Sequence, residues 1–345
     1  MDQQIVPALE DVLWTRSNRW PDALPCKICG GTSPFFDLVD FNKCCLADDP
    51  YTLGPSCVGV PYHRCDHCRF AFTTFFDDWD DSLFRRYIYN DRYIQVDPDY
   101  AEARPTETAA ALRTMLRGFE GLTLLDYGSG SGVLAAQLRD AGFASAAAYD
   151  PFSQPNRPNQ RFDVVTCFET IEHAPHPHSF IRDLASLLTA DGCIILGTSL
   201  QPDGFDLVRG SWWYVAPRNG HVSIYSTEAL SELAAQQGLV VHGQAAPFVL
   251  TSRQPRPDIA RLLCQIMPPP QAPIEPEEVV DASTSVKREL RETVKAAGRL
   301  AVAAQASLVW RVGRTFRPGR TAGAGGYRSP SAGRKDPHDK KRAQN

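Results

Sequence analysis

Three glycines at alternate positions, directly after a short apolar run, restrict this chain more than any other feature. In Leu122-Thr-Leu-Leu-Asp-Tyr-Gly-Ser-Gly-Ser-Gly-Val133, the residues Leu122, Leu124 and Leu125 read as a buried strand that ends at Asp126. Gly128, Gly130 and Gly132 let the backbone turn tightly and approach a ligand where a Cβ would clash. Val133, Leu134, Ala135, Ala136 and Leu138 then carry a helical pattern, which places the loop at a helix N-terminus with free N–H groups. Such a loop suits a nucleoside cofactor. A dinucleotide fingerprint would need glycine at position 133, where Val133 stands.

The cysteines define a second feature. Seven of the ten lie between Cys26 and Cys68, in a chain whose polar start, Met1-Asp-Gln-Gln-Ile-Val-Pro, predicts no secretory signal and a cytoplasmic location. Cys26-Lys-Ile-Cys29 and Cys65-Asp-His-Cys68 are two C-x-x-C knuckles, and their four thiolates can close a tetrahedral zinc site. A closed site leaves no open coordination position, so this zinc is expected to be structural. Cys44, Cys45, Cys57, His63 and His67 lie close enough in sequence to replace one ligand; small half-buried thiols are the plainer reading of the three cysteines.

Further along, Gly142 closes the helix after the glycine loop, and Ser145-Ala-Ala-Ala-Tyr-Asp150 gives a second strand ending in an acid. Asp150 is placed to accept from both ribose hydroxyls, with a turn cap as its alternative role. Residues 151–161, rich in Pro, Asn and Gln, are too few for a helix and a third strand before Phe162-Asp-Val-Val-Thr-Cys-Phe168. After that strand come Glu169, Glu172 and His173, a helix from Ser179 to Leu188, an Asp191-Gly192 turn and the strand Cys193–Ser199.

Asp-x-Gly-x-Gly-x-Gly at a strand end, followed by these elements, resembles the class I S-adenosylmethionine-dependent methyltransferases, in particular the small-molecule type 11 and type 23 groups. The resemblance covers roughly residues 26 to 250. It implies a Rossmann-like α/β sheet with helices on both faces; the short segment after Asp150 departs from the family in leaving no room for the third strand, and a small zinc-ribbon-like module is expected before the sheet. It also implies S-adenosylmethionine held by Asp126, Tyr127, Gly128, Ser129, Gly130, Gly132 and Asp150, with Phe168 and Glu169 as neighbouring contacts. The shortened segment after Asp150 removes the loop that in this family supplies an acid to the adenine amine.

His173 could take a proton from an acceptor, or it could cap the following turn. His221 matches a histidine that often precedes the next short strand of the family, and is the second catalytic candidate. The aromatic and polar segment 201–226 reads as a substrate lid, with Trp212, Trp213, Tyr214, Arg218 and Asn219 as pocket residues. Part of the aromatic stretch from Phe70 to Tyr100, around Tyr87 to Tyr93, is expected either to pack or to fold over the cofactor cleft.

The organisation expected is a zinc module over 1–72, an aromatic connector over 73–104 and a catalytic domain over 105–252. A proline-rich linker over 253–282, a basic helix over 283–316 and a disordered basic tail over 317–345 follow. From Ser283 onward there are 15 Lys and Arg against 4 Asp and Glu, a charge of +11, which leaves −15 on the preceding residues out of an overall −4. An acidic catalytic portion is a poor surface for a polyanion, which argues against a nucleic-acid partner and for a small-molecule acceptor. The tetrad with which amino-methyltransferases of nucleic acids grip an exocyclic amine is also absent. No apolar run is long enough to span a membrane, although 283–316 could lie on an anionic surface, bind a protein or dock on its own chain.

The layout of a four-cysteine knuckle before such a domain resembles bacterial sugar C-methyltransferases acting on nucleotide-linked sugars. That would require a base, His173 or His221, and a diphosphate contact such as Arg218 or Arg209. A zinc-ribbon RNA methyltransferase and a non-catalytic binding module are the rival readings. Oligomeric state is not legible.

Overall fold

Each cysteine knuckle is the turn of a hairpin. The computed structural model describes residues 20–267, so the basic helix expected over 283–316, the tail and a short helix expected around Leu9 to Trp14 lie outside the described residues. Strand β1 (Ala23–Pro25) passes through the first knuckle into β2 (Thr32–Asp40), and β3 (Gly59–Arg64) passes through the second into β4 (Ala71–Phe72). These four strands pair antiparallel in the order β1-β2-β3-β4. The chain then forms α1 (Asp81–Tyr87), whose N-terminus is capped by the Asp80 carboxylate accepting from the Leu83 N–H. Two further helices follow, α2 (Tyr93–Val96) and α3 (Ala103–Met115).

The second sheet begins with the expected strand, β5 (Leu124–Tyr127), followed by α4 (Val133–Asp140), β6 (Ala146–Tyr149) and β7 (Phe162–Phe168). Next come α5 (Pro177–Ser186), β8 (Leu188–Gly197) and α6 (Phe205–Val208). The described chain ends with β9 (Ser223–Ile224), α7 (Thr227–Ala235), β10 (Leu239–His242), β11 (Phe248–Ser252) and α8 (Pro257–Ile266). The larger sheet has the order β10-β11-β8-β7-β5-β6, with β6, β5, β7 and β8 parallel and β11 inserted antiparallel.

Strand β6 is the sheet edge. Between it and β7 the chain makes only turns and one isolated bridge, Asp150 to Gln154, so the third strand is indeed missing. The expected Asp191-Gly192 turn lies inside β8: Phe162 pairs with Leu188 but Val164 with Cys193, and the intervening residues bulge out with Asp191 at φ 61°.

Alternation along the strands feeds two cores. Leu124, Val164 and Ile195 point to the face covered by α3, α4 and α8, while Leu125, Val165, Ile194 and Leu196 point to the face covered by α5 and α7. Helix α8 replaces the start of the linker expected over 253–282, whose residues 268–282 lie outside the described residues. Its Ile259 and Leu262 are fully buried, and the nearby prolines that suggested a linker flank the helix, with Pro257 in its first turn.

The four-cysteine module does not end where its own strands do. Strand β9, about 150 residues further on, pairs with β4 as the fifth strand of the small sheet, Ala71 opposite Ile224 and Phe72 opposite Ser223. Cys26, Ile28, Cys65, Cys68, Phe70 and Phe72 share a core with Tyr225 and with Ala229, Leu230 and Leu233 of α7. Ser226 closes the joint: its hydroxyl accepts from the Ala229 N–H as the N-cap of α7 and donates to the Cys68 carbonyl at 2.7 Å. Among the described residues no helix is long and apolar enough to cross a membrane.

Candidate active site

The glycine loop is wound in the conformation its sequence requires. Gly128, Gly130 and Gly132 have φ of 77°, 53° and 82°, in the left-handed region that disfavours a Cβ. The Gly128 and Ser129 N–H groups donate to the Tyr149 carbonyl at the end of β6, which ties the loop to the strand carrying Asp150. A Cβ on Gly128 would lie 2.3 Å from the Thr170 hydroxyl oxygen, whereas the space beside Gly130 is open.

Asp150 holds its own loop together. Its Oδ1 accepts from the Phe152 and Ser153 N–H groups and the Ser153 hydroxyl, while Oδ2 accepts only the Gly130 N–H at 3.2 Å and keeps a lone pair. The Ser129 hydroxyl is buried without a partner. An orphaned hydroxyl, a carboxylate with a spare lone pair and open space beside Gly130 fit a nucleoside with an amino-acid tail. Asp126 lies deeper. Burial pushes its carboxyl up to about 7, although the Thr166 hydroxyl donates to it at 3.0 Å. The Tyr127 ring points the other way, into the α5 face, and its hydroxyl donates to Asp183. Phe168 packs over Gly197.

Beyond the loop polar side chains gather into a chamber-like cluster. Cys45, Glu169 and His173 are each partly exposed in it, and burial is the leading cause of the pKa shift of each. Glu169, first residue after β7, has φ 46°, a strained conformation for a non-glycine and of the kind that clusters at functional sites. The Tyr214 hydroxyl donates to Glu169 Oε2 at 3.2 Å, and the Thr198 hydroxyl donates to Glu172 Oε2 at 3.0 Å. Glu172 is fully buried; its Oε1 has no hydrogen-bond partner and lies 3.7 Å from His173 Nε2. Burial, and then the charge of Glu169, hold Glu172 well above the ordinary carboxyl range.

His173 and His221 meet edge to face with ring centres 4.9 Å apart. His221 Nδ1 lies 2.8 Å from the Tyr214 carbonyl, which can only accept, so Nδ1 carries the proton and Nε2 the lone pair. The Tyr89 hydroxyl sits 3.2 Å from His173 Nδ1. Burial lowers His173 to about 4 and His221 well below its ordinary value, so both are neutral at pH 7. His173 is the more accessible, with 15% of its side chain exposed.

Of the segment expected to form a lid, residues 214–226 are core, while most of 202–211 is exposed. Tyr214, Arg218 and Asn219 are 0%, 3% and 1% exposed, because the small sheet and the aromatic connector supply an apolar bed for it. The Arg218 guanidinium donates to the Ile88 carbonyl and to Asn90, while Asn219 accepts from the Cys45 N–H and donates to the Val96 carbonyl. Both therefore position the chamber walls, a correction to the substrate contacts expected of them. Trp213 packs half-buried against Tyr214.

Four chamber groups carry no sequence motif. The insertion between the knuckles brings Cys45 Sγ to 3.6 Å from His221 Nδ1, and buries the Lys43 ammonium between the carbonyls of Trp212 and Val215. Asp97 and Arg104 form a two-bonded ion pair at 3.0 and 2.6 Å. Only the clustering of aromatic and acidic residues before β5 hinted at this pair.

Two groups among the described residues have the spacing to hold a metal. The sulfurs of Cys26, Cys29, Cys65 and Cys68 all lie within 4.8 Å of one another, as do the ligand atoms of Glu172, His173 and His221. The second group holds a carboxyl disposed to stay protonated, which suits proton handling. In the first, backbone N–H groups of Ile28 and His67 point at Cys26 and Cys65 Sγ, and Gly30 and Arg69 take the same left-handed position after each knuckle. These are features of a thiolate site, and four sulfurs match a tetrahedral zinc. Cys44 and Cys57 stay outside it, and His63 Nε2 donates to the Pro21 carbonyl at 3.0 Å.

Residues 100–244 match a family described as a methyltransferase domain. Two curated proteins named ubiquinone biosynthesis O-methyltransferase are among the relatives. That of Paramagnetospirillum magneticum is 34% identical over 111 residues, covering 26% of this chain and 44% of the relative. That of Caulobacter vibrioides is 33% identical over 105 residues, covering 23% and 42%. The chain thus spans less than half the length of these relatives. Among solved structures, an O-methyltransferase family protein from Burkholderia thailandensis is similar with a TM-score of 0.37 at 16% identity, covering 50% of this chain and 62% of that one. The magnesium protoporphyrin IX methyltransferase of Synechocystis has a TM-score of 0.34 at 17% identity, covering 52% and 96%.

Proposed function

We propose that this chain transfers a methyl group from S-adenosylmethionine to a small-molecule acceptor. The observation that carries the reading is the left-handed glycine loop hydrogen-bonded to the strand of Asp150, within the segment that matches a methyltransferase domain. Ser129, Gly130 and Asp150 would hold the cofactor, with Glu169 beside it. When bound, that cofactor supplies an electrophilic methyl on a sulfonium. The chain's own contribution is to align an acceptor with it and to remove the acceptor's proton.

His173 is the proposed base. It is neutral at working pH, it reaches the chamber, and it stands between the Tyr89 hydroxyl at Nδ1 and Glu172 at Nε2. An acceptor proton can pass through Tyr89 to Nδ1, with Glu172 Oε1 facing the Nε2 side of the ring at 3.7 Å. His221, with Nδ1 committed to a carbonyl, keeps its edge against the His173 ring and orients it. His173→Asn should lower kcat/KM by roughly 10²- to 10⁴-fold. Protonation abolishes the base, so kcat/KM of the wild type should stay level as pH falls from 8 to 5 and drop with a midpoint near 4. A midpoint near the ordinary histidine value of about 6.5 would exclude His173 as that base.

Hydroxyl acceptors and nucleotide-linked sugars are the classes to test first. Of the two arginines expected at a diphosphate, Arg218 has its guanidinium committed to the protein, while Arg209 is 45% exposed. The four-cysteine site is proposed to hold one structural zinc. Calorimetric titration with S-adenosylmethionine and S-adenosylhomocysteine, on wild type and on Gly130→Trp, tests the cofactor. Binding by the wild type that is lost when the indole fills the open space is the expected result, and no binding by the wild type removes the reading.

A further inference from the structure

We propose that Lys27 is a positioning residue that couples the four-cysteine site to the segment Glu169–Pro175, so that zinc and the nucleoside cofactor each stabilise the other's site. The proposal rests on the cofactor and zinc readings above.

Lys27 directly follows Cys26, and its side chain is 12% exposed. An ammonium group has three N–H donors. One goes to the Thr73 carbonyl at 2.8 Å, one to the Pro175 carbonyl at 3.0 Å and one to Asp77 Oδ1. The side chain therefore ties three segments with no donor to spare: the first knuckle, the start of the aromatic connector and the end of the strained turn after β7. The rest of that turn is held from the same side. The carbonyls of Ile171, Glu172 and Ala174 accept from the Tyr225 hydroxyl, the Val222 N–H and the Ser223 hydroxyl, all on or beside β9. Strand β9 is itself the fifth strand of the knuckle sheet.

Two states of the knuckle make this a coupling. Thiolates held within 4.8 Å of one another attract a cation and repel one another without it. Opening of the first knuckle moves the backbone at Lys27, and the ammonium carries that displacement to Pro175, two residues from His173. A cofactor that needs Glu169 and Thr170 in place then resists the opening. Linkage requires the effect to be mutual.

The test measures zinc release from the full chain to 4-(2-pyridylazo)resorcinol, with and without saturating S-adenosylhomocysteine. The ligand should slow release from the wild type about tenfold, in the usual range for linked sites. Lys27→Met should still carry zinc and bind the ligand, yet at matched saturation the slowing should shrink to less than about twofold, since the two sites no longer communicate. Matching saturation removes the general stabilisation that any bound ligand confers. Asp77→Asn keeps the ammonium and both carbonyls, and should show a smaller loss in the same direction, which decides the matter if Lys27→Met does not fold. Undiminished slowing in a folded Lys27→Met or, failing that, in Asp77→Asn overturns the proposal. Ligand binding absent in the wild type removes the cofactor reading, and zinc absent from it removes the metal reading. Both present with identical release rates removes the coupling alone.

Discussion

Gly128→Ala should cost S-adenosylhomocysteine binding and stability together, while Gly130→Ala costs much less stability. Both glycines have left-handed φ, 77° and 53°, so a β-carbon at either should cost about 1–2 kcal/mol of backbone strain. They differ in what the new methyl meets. At Gly128 it would lie 2.3 Å from the Thr170 hydroxyl and 2.4 Å from its methyl, whereas nothing lies within 4 Å at Gly130. Overpacking of that kind costs about 1–3 kcal/mol more. Against a total stability of about 5–15 kcal/mol, roughly 2–5 kcal/mol at position 128 should lower Tm by several degrees or more. The loop can escape only by moving off Thr170, which breaks the Gly128 and Ser129 bonds to the Tyr149 carbonyl and separates the loop from Asp150. A displacement of about an ångström at such a site is expected to cost about two orders of magnitude in the rate of transfer, and it also takes the ligand's partners on the loop out of register with Asp150. Thr170→Ala removes the two nearest atoms and leaves the β-carbon at 2.9 Å, so the double variant Gly128→Ala, Thr170→Ala should recover most of the overpacking part and keep the strain. Thermal melts and calorimetry on the four proteins close the cycle. Equal losses at positions 128 and 130 would show that strain alone governs the loop.

Local patterns predict local structure in this chain, and long-range pairing is where they fail. The glycine loop was legible because its residues carry the constraint themselves: only glycine accepts φ of 77°, 53° and 82° cheaply. The missing third strand was legible from chain length, since residues 151–161 cannot hold a helix and a strand. The convergence of Cys26, Cys29, Cys65 and Cys68 followed from two knuckles, because each hairpin turn presents its own pair. By contrast, β9 is two residues long and pairs with a strand about 150 positions earlier, so no periodicity announces it. Without that pairing, Arg218 and Asn219 read as exposed pocket residues, and with it they are buried. Lys27 and Lys43 carry no sequence signal for the same reason. Their carbonyl acceptors come from segments remote in sequence.

Removing the metal ligands should unfold far more than the N-terminal module. In the double variant Cys26→Ser, Cys65→Ser, zinc should fall from about one per chain to none, because two thiolates cannot close a tetrahedral site. A structural zinc site of this kind supplies on the order of 10–16 kcal/mol, as much as a whole domain's net stability. A module with its own core would lose that contribution alone and leave the larger sheet intact. Here Cys26, Cys65, Phe70 and Phe72 are packed into the same core as Leu125, Val165 and Leu230, and β4 holds β9, whose neighbours fix the carbonyls around His173. The loss therefore reaches the turn Glu169–Pro175 and the α5–α7 face of the sheet. Circular dichroism of the variant should show lost helix as well as lost strand, with no second thermal transition, and S-adenosylhomocysteine binding should be absent. Retained ligand binding at near wild-type affinity, with a surviving transition, would establish that the knuckles fold apart from the catalytic body. The open spacing of the two C-x-x-C pairs then has a physical reason. The residues between them are the insertion that carries Lys43 and Cys45 to the chamber wall, so a metal bound at the four sulfurs would close a loop that lines the candidate site.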